Sequence, residues 1–305
     1  MQVSIIIVNY NTKDFLKNCI NSIYEHTADI EYEIIVSDNG SMDGSLEMLS
    51  SDYPNVRLIA NGKNLGFGAA NNKALDVATG KYIFYLNSDT ILLNNAVKMM
   101  FDYFEANDNG LLGAVGGLLL DSQHRFIHSG DSFPLYKATI LDLIKLNIGN
   151  IYLTLGTILH FKNMHKNHFT SENYGHIDFI TGADLFVKNN SFARYDEDFF
   201  LYYEDTYLQY KMAKAGLERH IIQGPQIIHL CGGSVGEAIT IYRKASYSRI
   251  QFEFSRIKFL RKITEKKTLD SSFVIGFCKF LIILSWINPF IIKKTKPYIK
   301  KLLVL

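Results

Sequence analysis

Several features that mark other protein classes are missing from this chain of 305 residues. The three cysteines, Cys19, Cys231 and Cys278, show no paired spacing, which argues against a disulfide framework and a thiolate metal site. The net charge is only +2, so the composition gives no electrostatic case for a nucleic-acid partner. No internal repeat or low-complexity tract interrupts the pattern.

Targeting signals are also missing. The start, MQVSIIIVNYN, lacks a basic region, and its apolar run is too short for a signal peptide, so we expect a cytoplasmic protein. The stretch that comes nearest to a membrane span is 273–292. It is interrupted by Lys279, Asn288 and Pro289.

The first 90 residues alternate between apolar runs and stretches of helical spacing. We predict strands over 3–8, 33–37, 56–60 and 82–86, with helices between them over 12–23, 41–49 and 67–77. Such alternation implies parallel strands joined by right-handed crossovers. The fold class is therefore α/β, with a Rossmann-like, mostly parallel central sheet that is flanked by helices.

Polar residues close each of the first four predicted strands: NYN, DNGS, NGKNLG and NSDT. The carboxyl ends of parallel strands lie at one edge of a sheet, so these residues should form one cleft. In such a cleft Asp38 can accept a hydrogen bond from the N3–H of uracil or thymine, and loop amides at a helix start can hold phosphate. The alternative for Asp38-Asn39-Gly40 is an ordinary turn.

Asp89 ends the turn after the strand YIFYL, where a divalent cation and its phosphates would sit. The alternative is that Asn87-Ser88-Asp89-Thr90 only caps a helix over about 92–103. His229 follows an apolar run and precedes Gly-Gly-Ser. It either completes a metal site begun by Asp89 or serves as a structural hydrogen-bonding group.

Glu204 and Asp205 fall in the first turn of another predicted helix, which follows strands predicted within 113–120 and 176–187. The helix dipole favours a carboxylate at that position. A helix start that opens on a cleft can present a general base. Plain helix capping is the alternative interpretation.

Seven motifs occur along the chain in this order: VSIIIVNYNT, IIVSDNGSMDGS, NLGFGAANN, YIFYLNSDT, TGADLFVK, DEDFFLYYEDTYLQYKMAKAG and HLCGGS. Together they resemble the family 2 glycosyltransferases of GT-A fold, in particular the bacterial rhamnosyltransferase-like branch. The resemblance covers about 1–240. It implies an inverting enzyme that moves rhamnose or another hexose from a dTDP- or UDP-sugar to a glycan or lipid-linked glycan acceptor in surface polysaccharide synthesis.

The resemblance also implies roles for individual residues. Asp205, paired with Glu204, becomes the catalytic base, while Asp89 and His229 become ligands of Mg²⁺ or Mn²⁺. Asn87 stands where a DxD metal motif has its first carboxylate. The nucleotide sugar is assigned to Asn9, Tyr10, Asn11, Asp38, Asn64, Gly66, Phe67, Asn71, Asn87 and Ser88.

The predicted domains follow the extent of the resemblance. A glycosyltransferase domain over 1–240 has a nucleotide-binding half, 1–112, and an acceptor and catalytic half, 113–240. The second half contains an insertion at about 135–171, which is either a mobile specificity segment or a structural helical addition. Residues 241–305 form a basic and apolar helical extension. It is either a peripheral anchor at the inner face of the cell membrane or a helix packed on protein.

Two other functions were weighed against sugar transfer. A nucleotidyltransferase would have a G-x-G-x-R-like loop after the first strand, and NYNT is not such a loop. A non-catalytic subunit of a polysaccharide assembly complex would bind a sugar nucleotide without turnover. That subunit remains the alternative function.

Overall fold

The strands and helices come from a computed structural model that describes residues 1–158, 174–230, 245–264 and 269–305. The strands are β1 (Val3–Asn9), β2 (Tyr32–Asp38), β3 (Arg57–Ala60), β4 (Tyr82–Asn87), β5 (Thr90–Leu92), β6 (Leu112–Leu120), β7 (Gly130–Asp131), β8 (Gly175–His176), β9 (Phe179–Ile180), β10 (Asp184–Lys188) and β11 (Glu218–His229). The helices are α1 (Lys13–His26), α2 (Ser45–Asp52), α3 (Phe67–Leu75), α4 (Ala96–Asn107), α5 (Tyr136–Ile158), α6 (Glu204–Lys214), α7 (Tyr247–Ile263), α8 (Leu269–Trp286) and α9 (Ile292–Val304).

One nine-stranded sheet runs in the order β3-β2-β1-β4-β10-β6-β11-β5, with β8 paired to β11. The first four strands of this order are parallel to one another. β10 lies antiparallel between β4 and β6, and β11 is parallel to β6. The predicted α/β fold with a mostly parallel sheet flanked by helices is therefore confirmed.

The core lies on both faces of this sheet because the central strands are mostly apolar and are buried at almost every position. Side chains alternate between faces along a strand. Ile5 and Ile7 of β1 join a cluster that includes Leu16 of α1, whereas Ile6 joins one that includes Ala74 of α3 and Leu208 of α6. A strand buried on both faces reads as a continuous apolar run, which is why β1 was recognisable from sequence.

The segment after β4 corrects one of the two interpretations of Asn87-Ser88-Asp89-Thr90. No helix starts there: Thr90–Leu92 forms β5, and α4 begins later, at Ala96. β5 pairs antiparallel with β11, and Thr90 lies opposite His229. A pairing partner almost 140 residues away overrides the local capping pattern, so the capping interpretation was wrong.

The described residues divide into two compact units. The first unit, formed by 1–133, 174–200 and 204–230, contains the large sheet. The second unit, formed by 134–158, 201–203, 245–264 and 269–305, contains α5, α7, α8 and α9.

The predicted insertion and the predicted C-terminal extension both contribute to the second unit. The described part of the insertion is the helix α5, and the rest, 159–171, lies outside the described residues. The predicted domain boundary at 112 stays a prediction, and the predicted boundary at 240 lies outside the described residues.

Helix α7 carries a buried ionic group within the second unit. Glu253 is fully buried, and its carboxylate lies 2.5 Å from Arg249 and 3.4 Å from Arg256. A buried charge is tolerated when it is paired in this way. The rings of Tyr202 and Tyr203 pack on Phe252 of the same helix. The short segment 201–203 is thus fixed against α7.

Among the described residues, none of the helices combines the length and the apolar character that crossing a bilayer requires.

Gly66 marks the start of α3 and cannot be replaced without strain. Its φ is +91°, and a Cβ at this position would lie 2.4 Å from the carbonyl oxygen of Phe200. The same carbonyl accepts a hydrogen bond from the amide of Phe67 at 2.9 Å. The close approach of these two backbones therefore requires glycine.

We expect Gly66→Ala to lower the free energy of unfolding by about 3 kcal/mol, since it adds a steric clash with backbone to an unfavourable φ. Gly62 in the same loop is the matched control. Its φ is +69°, but nothing lies within 4 Å of a Cβ placed there, so Gly62→Ala should cost only about 1 kcal/mol. Urea unfolding followed by circular dichroism measures both, and equal losses would contradict the role of the Phe200 contact.

Candidate active site

The carboxyl ends of β1, β2 and β4 meet, as their polar tips predicted. The side-chain amide of Asn9 donates to Asp38 Oδ2 at 2.7 Å and to Ser41 Oγ at 3.0 Å. Thr12 Oγ1 donates to Asn9 Oδ1 at 2.6 Å and lies 2.9 Å from Ser88 Oγ. These bonds tie the three strand tips into one polar edge.

Asp38 is fully buried at the end of β2. Its Oδ1 accepts from the amides of Gly40 at 3.0 Å and Ser41 at 2.8 Å, while Oδ2 accepts from Asn9. A carboxylate offers about four acceptor positions, so the loop itself uses most of them. In this structure Asp38 shapes the turn, and its predicted contact with a nucleotide base stays a prediction.

Tyr10 and Asn11 follow Asn9 at the same edge. Tyr10 is half exposed, so its ring is open to solvent beside the strand tips. Asn11 has a φ of +54°, and its Oδ1 accepts from the amide of Met42 at 2.8 Å. Asn11 therefore braces the neighbouring loop through its side-chain oxygen.

The loop before α3 is organised by its own asparagines. Asn64 Oδ1 accepts from the amide of Gly66 at 2.9 Å. Asn71 is buried, and its amide donates to the carbonyl of Phe67 at 3.1 Å. Both side chains thus stabilise the loop and helix start that were predicted to face the nucleotide, and a direct contact stays a prediction.

Asp89 and His229 come together, although 139 positions separate them in the sequence. Asp89 Oδ1 lies 3.3 Å from His229 Nε2, and both side chains are 17% exposed. The side-chain amide nitrogen of Asn87 lies 3.4 Å from the same ring nitrogen. Two interpretations fit this pair: an ion pair when the imidazole is protonated, or two ligands of one cation when it is neutral.

The surroundings of this pair fit a cation. Asn87 Oδ1 is buried and has no hydrogen-bond partner among the described residues. Within that part of the chain, no group of three or more His, Cys, Asp or Glu side chains could hold a metal ion. A cation here would therefore take few ligands from the described residues and most from a bound diphosphate, as Mg²⁺ commonly does.

Glu204 and Asp205 occupy the first turn of α6, as predicted, but their environments differ. Asp205 is partly exposed, and its carboxylate accepts from the amides of Gly182 at 2.9 Å and Thr206 at 2.6 Å. Burial raises the pKa of Asp205, and these hydrogen bonds offset part of that rise. Glu204 is 5% exposed, and its Oε2 has no partner among the described residues.

Burial, with the neighbouring Asp205 as a second cause, raises the pKa of Glu204 well above its ordinary value. Burial of this kind favours the protonated form of a carboxyl group. The pair therefore divides into a buried acid whose protonated form is favoured, Glu204, and a partly accessible carboxylate, Asp205. The accessible one is the better general base.

The turn 181–184 connects the two carboxylate sites. The amide of Gly182 binds Asp205, and the carbonyl of Ala183 accepts from the amide of Asn87 at 3.0 Å. A Cβ at position 182 would lie 3.2 Å from Asp205 Oδ2. The glycine at position 182 thus lets the start of α6 approach the strand that leads to Asp89.

Asp184 is a candidate that sequence analysis missed. It is fully buried on β10, and its Oδ2 accepts from the amide of Gly117 at 2.7 Å. Its Oδ1 has no partner among the described residues. Burial raises the pKa of this carboxyl well above its ordinary value, and the nearby His229 partly opposes the shift. A carboxylate at the head of an apolar strand is costly, and that cost was the available signal.

The protonation of Glu204 predicts a pH dependence of stability. Above its ordinary pKa of 4.5, unfolded Glu204 loses a proton that the folded chain keeps, so the free energy of unfolding falls as pH rises. In Glu204→Gln this fall should be less steep by up to about 1.4 kcal/mol per pH unit. Urea unfolding between pH 5 and 8 measures the slope. Glu47→Gln, on the exposed face of α2, is the control, and identical slopes in all three proteins would contradict the prediction.

Comparison with known proteins identifies the family. A family model described as glycosyl transferase family 2 matches residues 4–159, just over half of the chain. Chondroitin synthase from Escherichia coli is 32% identical over 138 residues, which cover 44% of this chain and 20% of that protein. The match thus spans about a fifth of that relative's length.

A longer match extends past the family model. An N-acetylglucosaminyl-diphospho-decaprenol L-rhamnosyltransferase of Mycobacterium tuberculosis is 23% identical over 249 residues, which cover 76% of this chain and 77% of that one. Among solved structures, a mannosyltransferase from Pyrobaculum calidifontis in complex with GDP-Man and Mn²⁺ superposes with a TM-score of 0.55 at 14% identity. It covers 93% of this chain and 72% of its own.

The structural likeness agrees with the predicted GT-A fold. The match to the family model carries the family assignment, and it includes β1, β2 and the turn with Asp89. The chain therefore belongs to glycosyl transferase family 2.

Proposed function

We propose that this protein is an inverting glycosyltransferase of bacterial surface polysaccharide synthesis. It takes a hexose, such as rhamnose, from a nucleotide-diphosphate donor and transfers it to a glycan or lipid-linked glycan acceptor. The observation that carries the proposal is the turn 181–184, which holds Asp205 through Gly182 and the strand leading to Asp89 through Ala183. A base and a diphosphate-binding carboxylate on either side of one turn suit a single displacement.

The reaction would proceed as one substitution at the anomeric carbon. Asp205 accepts the proton of an acceptor hydroxyl as that oxygen bonds to C1, and the bond from C1 to the diphosphate oxygen breaks. The nucleoside diphosphate leaves with the bonding electron pair. Attack from the face opposite the leaving group inverts the configuration. Glu204 stays protonated behind Asp205 and adds no negative charge to the base.

A divalent cation, Mg²⁺ or Mn²⁺, would neutralise the charge that develops on the departing diphosphate. Asp89 and His229 are the residues that would hold it, with the unpartnered Asn87 Oδ1 beside them. The asparagine in place of a first carboxylate leaves the site with one negative charge fewer. The polar edge formed by Asn9, Thr12 and Ser88 would lie along the nucleotide.

The donor and acceptor are proposed from chemistry and likeness together. The solved mannosyltransferase carries GDP-Man and Mn²⁺, which supports a nucleotide-sugar donor and a cation for the fold. The name of the mycobacterial relative describes rhamnose transfer to a diphospho-decaprenol acceptor, which supports a lipid-linked acceptor here. For the donor base, we propose thymine or uracil, with Asp38 beside it. An acceptor of this kind also suits a place at the inner face of the cell membrane.

The alternative is a subunit that binds a sugar nucleotide without turning it over. The partly exposed carboxylate of Asp205, held by the amides of Gly182 and Thr206 at a helix start, favours catalysis, since a binding subunit does not need a general base. Calorimetry with UDP and dTDP, followed by a donor hydrolysis screen across nucleotide sugars, separates the two. Binding with no hydrolysis or transfer of any donor would favour the alternative.

Asp205→Asn should lower the transfer rate by about 10²–10⁴-fold, because an amide cannot accept the acceptor's proton. Donor affinity should change little, since the side chain keeps its shape and one of its backbone hydrogen bonds. Single-turnover transfer with a saturating donor measures the rate, and calorimetry measures donor binding.

The matched control for this substitution is Asp102→Asn. Asp102 lies on α4, exposed and paired with Lys98, away from the polar edge. Its variant should transfer at the rate of the unchanged protein. An Asp205→Asn variant that keeps more than a tenth of that rate would refute the assignment of the base.

Asp89→Asn and His229→Ala should each reduce, by about tenfold or more, the gain in UDP or dTDP affinity that Mn²⁺ provides. Nucleotide affinity without Mn²⁺ should stay the same, because the strand tips that face the nucleotide are untouched. Calorimetry with and without Mn²⁺ gives both quantities independently of turnover.

His128→Ala serves as the control for loss of an imidazole, since His128 is exposed and its neighbour Asp131 lies 3.6 Å away. The Mn²⁺ effect should persist in this variant. If His229→Ala keeps the full Mn²⁺ effect, the pair with Asp89 is an ion pair and His229 is not a ligand.

A further inference from the structure

Two helices of the second unit carry exposed apolar stripes. On α5 the stripe is Leu141, Ile144, Ile148, Ile151 and Leu155. On α8 and the residue after it, the stripe is Phe273, Phe277, Phe280, Leu284 and Ile287. The side chains are 37–73% exposed. Spacings of three and four residues keep each set on one side of its helix.

The two helices pack side by side and run in the same direction. Asn147 Nδ2 donates to the carbonyl of Leu281 at 3.0 Å, and Asn150 Nδ2 donates to that of Ser285 at 3.3 Å. Further along, Asn288 Nδ2 donates to Thr154 Oγ1 at 2.5 Å. The contact positions rise together along both helices, so the helices are parallel.

This register brings the two stripes to the same side. Each of the last three stripe residues of α5 follows a contact residue by one position, as Ile148 follows Asn147. Each of the last three on α8 precedes a contact residue by one, as Phe280 precedes Leu281. One residue along a helix corresponds to a rotation of about 100° around its axis. The stripe on α5 therefore lies about 100° from the contact residues in one sense, and the stripe on α8 lies about 100° from them in the opposite sense. On parallel neighbours, opposite rotations lead to the same side.

The resulting apolar face runs along more than half of each helix. Each stripe spans 15 positions, and its 14 rises correspond to about 21 Å along the helix, while neighbouring helices lie about 8–10 Å apart. Contiguous apolar patches of several hundred Å² mark interaction sites. Lys137 and Lys145 of α5 flank the face, and Lys279 of α8 is directed elsewhere, to the carbonyl of Leu303. The stripes themselves contain no charged residue.

Charge decides which occupant fits. The described residues of the second unit contain thirteen Lys and Arg against three Asp and Glu, a net charge of +10 in a chain whose total is +2. A second copy of the chain would bring another strongly positive unit to the same face, and like charges oppose that approach. A bilayer with anionic lipids offers apolar depth and opposite charge together.

We propose that the face formed by α5 and α8 docks on the surface of a bilayer that contains anionic lipids, with Phe273, Phe280 and Ile148 inserted below the headgroups. The described helices lie on the membrane and do not cross it, in keeping with their length and composition. The inference adds α5 to the predicted C-terminal anchor. It does not depend on the proposed sugar transfer, since docking requires neither donor nor acceptor.

The test is cosedimentation of the full chain with vesicles of phosphatidylglycerol and phosphatidylcholine, and with phosphatidylcholine alone. The unchanged protein should bind the anionic vesicles, and less so at high salt. The variant Ile148→Ser, Ile151→Ser, Phe273→Ser, Phe280→Ser should partition at least tenfold less. These four side chains are more than half exposed, so their loss should leave the fold intact, which circular dichroism checks.

The control variant, Met42→Ser with Leu111→Ser, removes exposed apolar side chains from the first unit and should bind as the unchanged protein does. The proposal is overturned if the unchanged protein does not bind anionic vesicles, or if the variant with four serine substitutions binds them equally well. It is also overturned if light scattering shows that the unchanged protein is a dimer and the variant with four serine substitutions a monomer, while neither binds vesicles. Donor hydrolysis is measured separately, so failure of docking and failure of sugar transfer are distinguishable.

Discussion

Two hydrogen bonds made by the backbone of a four-residue turn, one to a side chain and one to a strand, link the parts of the candidate active site. The amide of Gly182 fixes Asp205, and the carbonyl of Ala183 fixes the strand end at Asn87. Without a side chain at position 182, the helix that carries Asp205 comes within hydrogen-bond reach of the sheet. Everything proposed for proton transfer and for leaving-group stabilisation depends on this closeness, since the two carboxylates arrive on elements far apart in the chain.

Local pattern was sufficient for the elements whose own residues decide their structure. The strand Val3–Asn9 followed from a nearly continuous apolar run, and the convergence of the polar tips followed from parallel topology. The capping interpretation of Asn87-Ser88-Asp89-Thr90 was wrong because Thr90–Leu92 pairs with β11 as a strand, and the helix begins only at Ala96. Asp184 was missed because the acidic residue that opens its apolar strand is only a weak signal in the sequence, and its burial becomes evident when the strand is placed between two others. Such errors arise where distant partners outweigh local preference.

The polar groups of the candidate site fall into two kinds. The first kind forms hydrogen bonds with one another and with nearby backbone, and it comprises Asn9, Asp38, Asn64 and Asn71. Glu204, Asp184 and Asn87 retain buried oxygen atoms without partners among the described residues. The first kind pre-forms the loops, which reduces the ordering cost when a nucleotide binds. The second kind is the expensive arrangement that functional sites tolerate for the sake of chemistry.

The pairing of α5 with α8 links two stretches of chain that are more than a hundred residues apart. If a shortened protein ended before Leu269, the side-chain amides of Asn147 and Asn150 would lose their acceptors. The side of α5 that packs on α8 would then be exposed to water. A protease or a frameshift that removed the tail would therefore unsettle a helix in the middle of the sequence.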